Sequence, residues 1–498
     1  MNRNSIPATV LAIHTLLLLA KAALILTWDL ELHYEEAQYW LWSRYPDWSY
    51  YSKPGMVAWM NWLSTGLWGD TPLGVKFPAL VAGWLMGLTT YLLAYELLRE
   101  HRVSLLASLV LYLMPFYYSV SLFHSTDTFL CAFLLLALFF LYRAVENGRR
   151  RNWVLAGAML GLAMLSKYAA IIFVPASVLY LLLMEKKKAG AWKGWSIAMG
   201  TALVFCLPIV IWNAANDWVT FKHVFTLGGG GSTEKVYTLK GQLQAVGEYI
   251  GGQAAIISPF LLLILPFARK NGLSREKRAF LLVLPLVSFF LFLALSLYKQ
   301  KAANVNWPMS GYVTLPIFFA AALHRFDWRK WFLPLAAFQL ALLLMLGYFR
   351  NFDLLPFKLK KDPRMDYVGW RQLAREAEKT AQETGGEKTI FLSANYQVAS
   401  AVTFYMQEES RREVFCISGG GRMNQLLLWN RAAEFENDPG LTIIYLDKRP
   451  MRDGIKAQFD TIVDSRKVEV KVRDLPPKTF YLYTAKGSRD FSTQAEGY

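Results

Sequence analysis

The chain has 498 residues, of which 54% are hydrophobic and only 18% charged, with a mean hydropathy of +0.25. A soluble chain carries roughly 25% charged residues, so the composition excludes an ordinary soluble enzyme. The formal charge of +16 falls almost entirely before Asn351, in short loops between apolar runs; that is the positive-inside pattern, and it excludes nucleic acid as a partner.

Apolar runs near 7–28, 73–97, 103–122, 127–144, 153–167, 169–184, 192–212, 250–268, 279–297, 308–323 and 331–348 predict about 11 membrane spans. The first resumes its apolar character after Lys21 and reads as an uncleaved span. The stretch 153–184 is too long for one crossing, so Ser166-Lys167-Tyr168 is expected to separate two short spans. With the N-terminus inside, alternation gathers Arg99, Arg143, Arg149–Arg151, Lys193, Lys277 and Arg325 on one face. The first outer loop (29–72), His124 to Asp127, Lys167, Trp212 to Gly231 and Tyr298 to Trp307 fall on the other. Gly228–Gly231 reads as a hinge or flap, since no helix signature follows it. A membrane domain over 1–348 is thus followed by a soluble outer-face α/β domain over 349–498. A helix is expected over Asp366–Glu383, and strands over Lys388–Ala394, Leu441–Leu446 and Thr479–Thr484.

The outer loop opens with EEAQYWLW, whose aromatics recur at helical spacing. That predicts an interfacial helix with Tyr39, Trp40 and Trp42 toward lipid or the spans. Glu35 and Glu36 project about 100° apart, so only one of them can face a given site; solvated acids at a helix start would also suit its dipole. Asp127, in FHSTDTFL, is a charge at the end of an apolar run, where it is costly and usually functional, though it also suits a helix start. Lys53 precedes Pro54 and is displayed from stiff, extended backbone. Lys167 is an isolated charge at membrane depth, and Lys299 with Asn306 flanks the last outer loop. Each lysine alone could snorkel to the headgroups; together with the acids on one face they fit a lipid-linked phosphate. Tyr50, Tyr51, His124 and His223 complete the candidate substrate-binding set. The histidines show no metal-ligand spacing, and three scattered cysteines make neither a disulfide framework nor a metal site.

The ordered blocks EEAQYWLWSRYPDWSYYSKPGMVAWMNWLSTGLWGDTPLGVKFPALV, HSTDTFLCAFLLLALFFLYRA, GLAMLSKYAAIIFVPASVLYLL, WNAANDWVTFKH and NWPMSGY resemble bacterial membrane glycosyltransferases related to the dolichyl-phosphate-mannose protein mannosyltransferases, including the lipid A aminoarabinose transferase. The resemblance covers roughly Asp29 to Leu323. It implies a mainly α, polytopic C-type glycosyltransferase fold with interfacial helices. It also implies a hexosyl or pentosyl transferase that moves a sugar, with inversion, from a polyprenyl-phosphate donor to a lipid, glycan or protein acceptor at the outer face of a bacterial inner membrane. Glu35-Glu36 stands where the family carries an Asp-Glu catalytic pair, so the first acid departs from the pattern. Asp127 matches the second acid, Lys53 a lysine near the lipid phosphate, and Lys167 the Ser-Lys-Tyr block. Metal dependence stays open: carboxylates at the site could hold a divalent metal ion, and lysines can take its place. A transporter or flippase of the same lipid-linked sugar is the alternative from another class; it needs no base and predicts inverted repeats, which the chain lacks.

Overall fold

The computed structural model describes residues 6–27, 31–184, 190–228, 238–266, 272–324, 333–334, 336–341, 363–384, 388–410, 412–419, 422–471 and 477–491. Its helices are, in chain order, α1 (Ala8–Thr27), α2 (Tyr34–Arg44), α3 (Met56–Trp68), α4 (Pro72–Leu98), α5 (His101–Leu113), α6 (Pro115–Val120), α7 (Thr126–Asn147) and α8 (Arg150–Ser166). There follow α9 (Phe173–Leu183), α10 (Ala191–Ala215), α11 (Val219–Gly228), α12 (Leu239–Ile257), α13 (Pro259–Leu262), α14 (Arg275–Lys299) and α15 (Leu315–His324). Five of them, α1, α4, α7, α10 and α14, are long and apolar enough to cross a membrane.

The differences from the expected spans have local causes. The run over 103–122 divides at Met114, because Pro115 cannot continue α5 and instead starts α6. The run over 250–268 belongs to a helix that begins earlier, at Leu239, and breaks at Ser258 ahead of Pro259. The span over 308–323 opens as a 3-10 turn, Met309–Tyr312. Most of 331–348, and Gly229 to Gly231, lie outside the described residues. The break at Lys167 is present: α8 ends at Ser166 and Lys167 is extended (φ −161°, ψ 137°).

α7 and α8 form an antiparallel hairpin whose turn is Gly148 (φ +66°). Asp127 and Lys167 lie at similar distances along the chain before and after that turn, which brings them to one level. At the opposite end of the bundle Glu96 pairs with Arg99 (2.6 Å) and Arg143 (3.6 Å), and Lys277 Nζ donates to Leu97 O (2.6 Å). Residues that loop alternation assigns to one face are therefore together in space, away from the acids.

The C-terminal segment adds α16 (Trp370–Glu383), β1 (Thr389–Ser393), α17 (Tyr396–Glu409), β2 (Val414–Cys416), β3 (Thr442–Asp447), β4 (Phe459–Val470) and β5 (Lys478–Ser488). The sheet order is β2-β1-β3-β5-β4; β1 pairs in parallel with β2 and β3, and β5 runs antiparallel to β3 and β4. The expected strands are β1, β3 and β5. β4 escapes the sequence pattern because its segment, FDTIVDSRKVEV, lies at the sheet edge with most residues accessible to water.

This domain sits directly on α2. The Trp40 ring meets Phe404 edge-on at 4.9 Å, Leu32 N–H donates to the Tyr405 hydroxyl (2.7 Å), and the Tyr45 hydroxyl donates to Glu413 (2.7 Å). Tyr39, Trp40 and Trp42 are all buried. The expectation that they face lipid or the spans is thus corrected for Trp40, whose ring is covered by the soluble domain. Replacing Trp40 by Ala empties this junction and removes the Nε1 hydrogen bond to Asp70 (2.7 Å). It is expected to cost about 3–5 kcal/mol, read as a lower unfolding temperature in detergent.

Candidate active site

Asp127 lies in the first turn of α7, where the helix dipole favours a carboxylate. The Lys167 ammonium grips both its oxygens, at 2.7 and 2.9 Å, and Asn306 Nδ2 donates to Oδ2 at 3.0 Å. Asp127 is thereby neutralised and held in one orientation, and Lys167 is fixed beside it.

Glu35 and Glu36 separate as neighbours on a helix must. Glu36 is fully buried and closes the start of α2, accepting the His33 N–H (3.2 Å). It also accepts the His124 N–H (2.9 Å) and forms an ion pair with Lys76 of α4. Both oxygens of Glu36 are occupied, and it ties the outer loop to the bundle. Among the described residues the Glu35 carboxylate makes no hydrogen bond or ion pair. It points toward Lys53, Asp127 and Lys167, and burial raises it above the ordinary carboxylate range while the two lysines oppose the rise.

Lys53 is presented by a tight loop. Tyr50 N–H donates to Lys53 O (2.9 Å), Ser49 bridges Pro54, and Asp47 holds the loop through the ring nitrogens of Trp59 (2.8 Å) and Trp212 (2.6 Å). Gly55 closes the loop where a Cβ would stand 2.7 Å from the Trp59 ring and 2.9 Å from Trp48 O, so no larger residue fits. Burial, with Lys167 nearby, pushes Lys53 down to about 8, against the pull of Asp127 and Glu35. The exposed Arg422, from the soluble domain, lies within electrostatic reach of Lys53.

Other candidates turn out to be supports. The Tyr50 ring stacks on Trp42 (4.6 Å), and its hydroxyl donates to Trp42 O (3.1 Å). His124 is fully buried, with Nε2 3.0 Å from Val57 O, and burial holds it neutral at about 3. His223 receives the Arg422 guanidinium (2.5 Å at Nε2) and packs on Tyr51 (4.8 Å). Burial and that guanidinium keep it uncharged, near 4. Lys299 lies 5.8 Å from the centre of the Trp307 ring. Among the described residues no group of three or more His, Cys, Asp or Glu could hold a metal ion. With Asp127 already engaged by a lysine, the residues present do not fit a divalent cation.

Sequence reasoning missed Lys76 and Arg422. Lys76 carried a usable signal, a lone charge inside an apolar run. Arg422 carried none, because only folding brings it to the first outer loop. Glu36→Gln leaves the Lys76 ammonium buried without its counter-charge and is expected to cost about 3–5 kcal/mol, seen as loss of folded protein in thermal unfolding.

Comparison with known proteins follows the same outline. The family described as dolichyl-phosphate-mannose-protein mannosyltransferase matches residues 52–212, a range that includes Lys53, Asp127 and Lys167. The lipid A galacturonosyltransferase RgtD of Rhizobium johnstonii is 27% identical over 390 residues, 76% of this chain and 78% of that one. An undecaprenyl phosphate-alpha-4-amino-4-deoxy-L-arabinose arabinosyl transferase of Pseudomonas aeruginosa is 29% identical over 164 residues, 32% of this chain and 30% of the relative. The apo structure of ArnT from Cupriavidus metallidurans superposes with a TM-score of 0.68 at 14% identity, covering 95% of this chain and 97% of that one. The same protein bound to undecaprenyl phosphate gives 0.63, with coverage of 96% and 98%. The resemblance read from the sequence holds, and the fold is that of ArnT.

Proposed function

We propose that this chain, a relative of these membrane glycosyltransferases, transfers a sugar from a polyprenyl-phosphate donor to a lipid A-type acceptor at the outer face of a bacterial inner membrane. The observation that carries the reading is the convergence of Glu35, Asp127, Lys53 and Lys167 at one end of the α7–α8 hairpin. The soluble domain stands on the outer side, because it covers the loop that must meet the donor headgroup. Nothing in the fold favours the transporter reading.

A glycosyl phosphodiester reacts readily when cations receive the charge that develops on the departing phosphate. Lys53 and Lys167 supply that charge. The acceptor hydroxyl attacks the anomeric carbon and its proton passes to Glu35. The bond from that carbon to the phosphate oxygen breaks, and its electron pair leaves with the polyprenyl phosphate. Glu35 is the better base of the two acids: it is unencumbered and raised by burial, whereas Asp127 is bound to Lys167 and Asn306. Asp127 instead orients Lys167. One displacement inverts the anomeric centre, and the transferred group is a hexose or pentose.

The purified protein, given radiolabelled undecaprenyl-phosphate sugars and lipid A, is expected to yield labelled lipid A, and Asp127→Asn to reduce turnover by about 10²-fold or more. Movement of the donor across vesicles without any transfer would contradict the reading. The charges also fix the pH dependence of kcat/KM, which reports the free enzyme. Glu35 must be deprotonated to act and is raised, so activity is lost as pH falls, at a pH above the ordinary carboxylate range. Lys53 must be protonated to hold phosphate and titrates near 8, so activity is lost again as pH rises through about 8. Lys53→Met should remove the alkaline limb, measured as a rate profile between pH 5 and pH 10.

A further inference from the structure

The soluble domain contains a cavity of about 540 Å³ beyond the C-terminal ends of β1 and β3. Its position follows from the topology. From β1 the chain crosses through α17 to β2 on one side, whereas β3 lies on the other side of β1. The gap between the ends of β1 and β3 is therefore a topological switch point, the place where open α/β sheets bind ligands. The volume lies in the range of small-molecule sites, roughly 300–1,000 Å³.

The lining is cationic. Lys448, Arg449 and Arg452 stand against one carboxylate, Asp447. Asp447 is turned to structural use, accepting the Lys448 N–H (2.6 Å) and the Tyr445 hydroxyl (3.1 Å). The exposed side chains of Arg449 and Arg452 make no hydrogen bond or ion pair among the described residues. Lys448 connects the cavity to the start of α2. Its Nζ donates to Gln397 Oε1 (3.0 Å) and lies 5.0 Å from the centre of the Tyr34 ring, on the residue next to Glu35. The cavity thus borders Tyr34, at the start of the helix that carries Glu35, while the lysines assigned to the donor phosphate belong to the membrane domain.

Resting on the function proposed above, we infer that this cavity is the headgroup subsite of the acceptor: it holds a phosphate on the acceptor's sugar and sets the acceptor hydroxyl against Glu35. Arginine forks suit phosphate oxygens, and a polar, water-facing pocket suits a sugar phosphate and not an acyl chain.

The test is binding to the full-length protein in detergent, with four probes: lipid A carrying both phosphates, dephosphorylated lipid A, inorganic phosphate and undecaprenyl phosphate. Wild type should prefer phosphorylated over dephosphorylated lipid A by about tenfold, the worth of about 1.4 kcal/mol of charge-assisted contact. The Arg449→Ala/Arg452→Ala double variant should lose that preference, and Lys456→Ala, which removes an exposed cation outside the lining, should keep it. Undecaprenyl phosphate should bind all three alike. A preference that persists in the double variant would overturn the subsite, as would binding of inorganic phosphate by wild type with no discrimination between the two lipids. Failure of wild type to bind undecaprenyl phosphate would strike the donor reading instead.

Discussion

A carboxylate taken out of water must be paired, or its charged form becomes costly, and the adjacent acids Glu35 and Glu36 meet that constraint in opposite ways. Glu36 is satisfied by Lys76 and two backbone N–H groups, and through them it binds α2, α4 and the start of α7 together. With that junction fixed, the neighbouring Glu35 is turned about 100° away toward the lysines, without a hydrogen bond of its own among the described residues. The anchoring carboxylate and the one without a hydrogen bond among the described residues are consecutive residues of one short helix.

The soluble domain extends the same logic. Its α17 covers α2 through Phe404 and Tyr405, and Arg422 reaches down to His223 at the edge of the outer loop. The aromatic residues of the loop are therefore mortar between two domains. Trp42 under Tyr50, and Trp59 and Trp212 on Asp47, hold the segment that displays Lys53. Cations thus approach the acids from two directions, the outer loop and the end of α8, with Arg422 of the C-terminal domain near Lys53. A lipid phosphate needs such an arrangement, because a negative charge at membrane depth must be met from several sides.

Much of this was legible in the sequence where periodicity and isolated charge carry the signal. Asp127 and Lys167, lone charges at the ends of apolar runs, prove to be partners. Their pairing follows from their similar distances along the chain from the turn at Gly148, which only the α7–α8 hairpin makes visible. The division of labour between Glu35 and Glu36 was not legible, since either face of a two-acid helix start is possible until Lys76 and His124 N–H are in place. The burial of His124 and Tyr50 was likewise not legible from their polarity. The breaks at Pro115 and Ser258 inside two apolar runs leave no mark on apolar periodicity, and β4 was missed because a water-facing edge strand lacks an apolar alternation.

The central claim is that Glu35, and not the neighbouring Glu36 or the lysine-bound Asp127, takes the acceptor proton. It is tested most directly with Glu35→Gln, which keeps size and shape but cannot accept a proton as a carboxylate does. Single-turnover transfer from a radiolabelled donor should fall by about 10²–10⁴-fold, with undecaprenyl phosphate affinity and unfolding temperature close to wild type. Transfer within a few-fold of wild type in the folded variant would contradict the account.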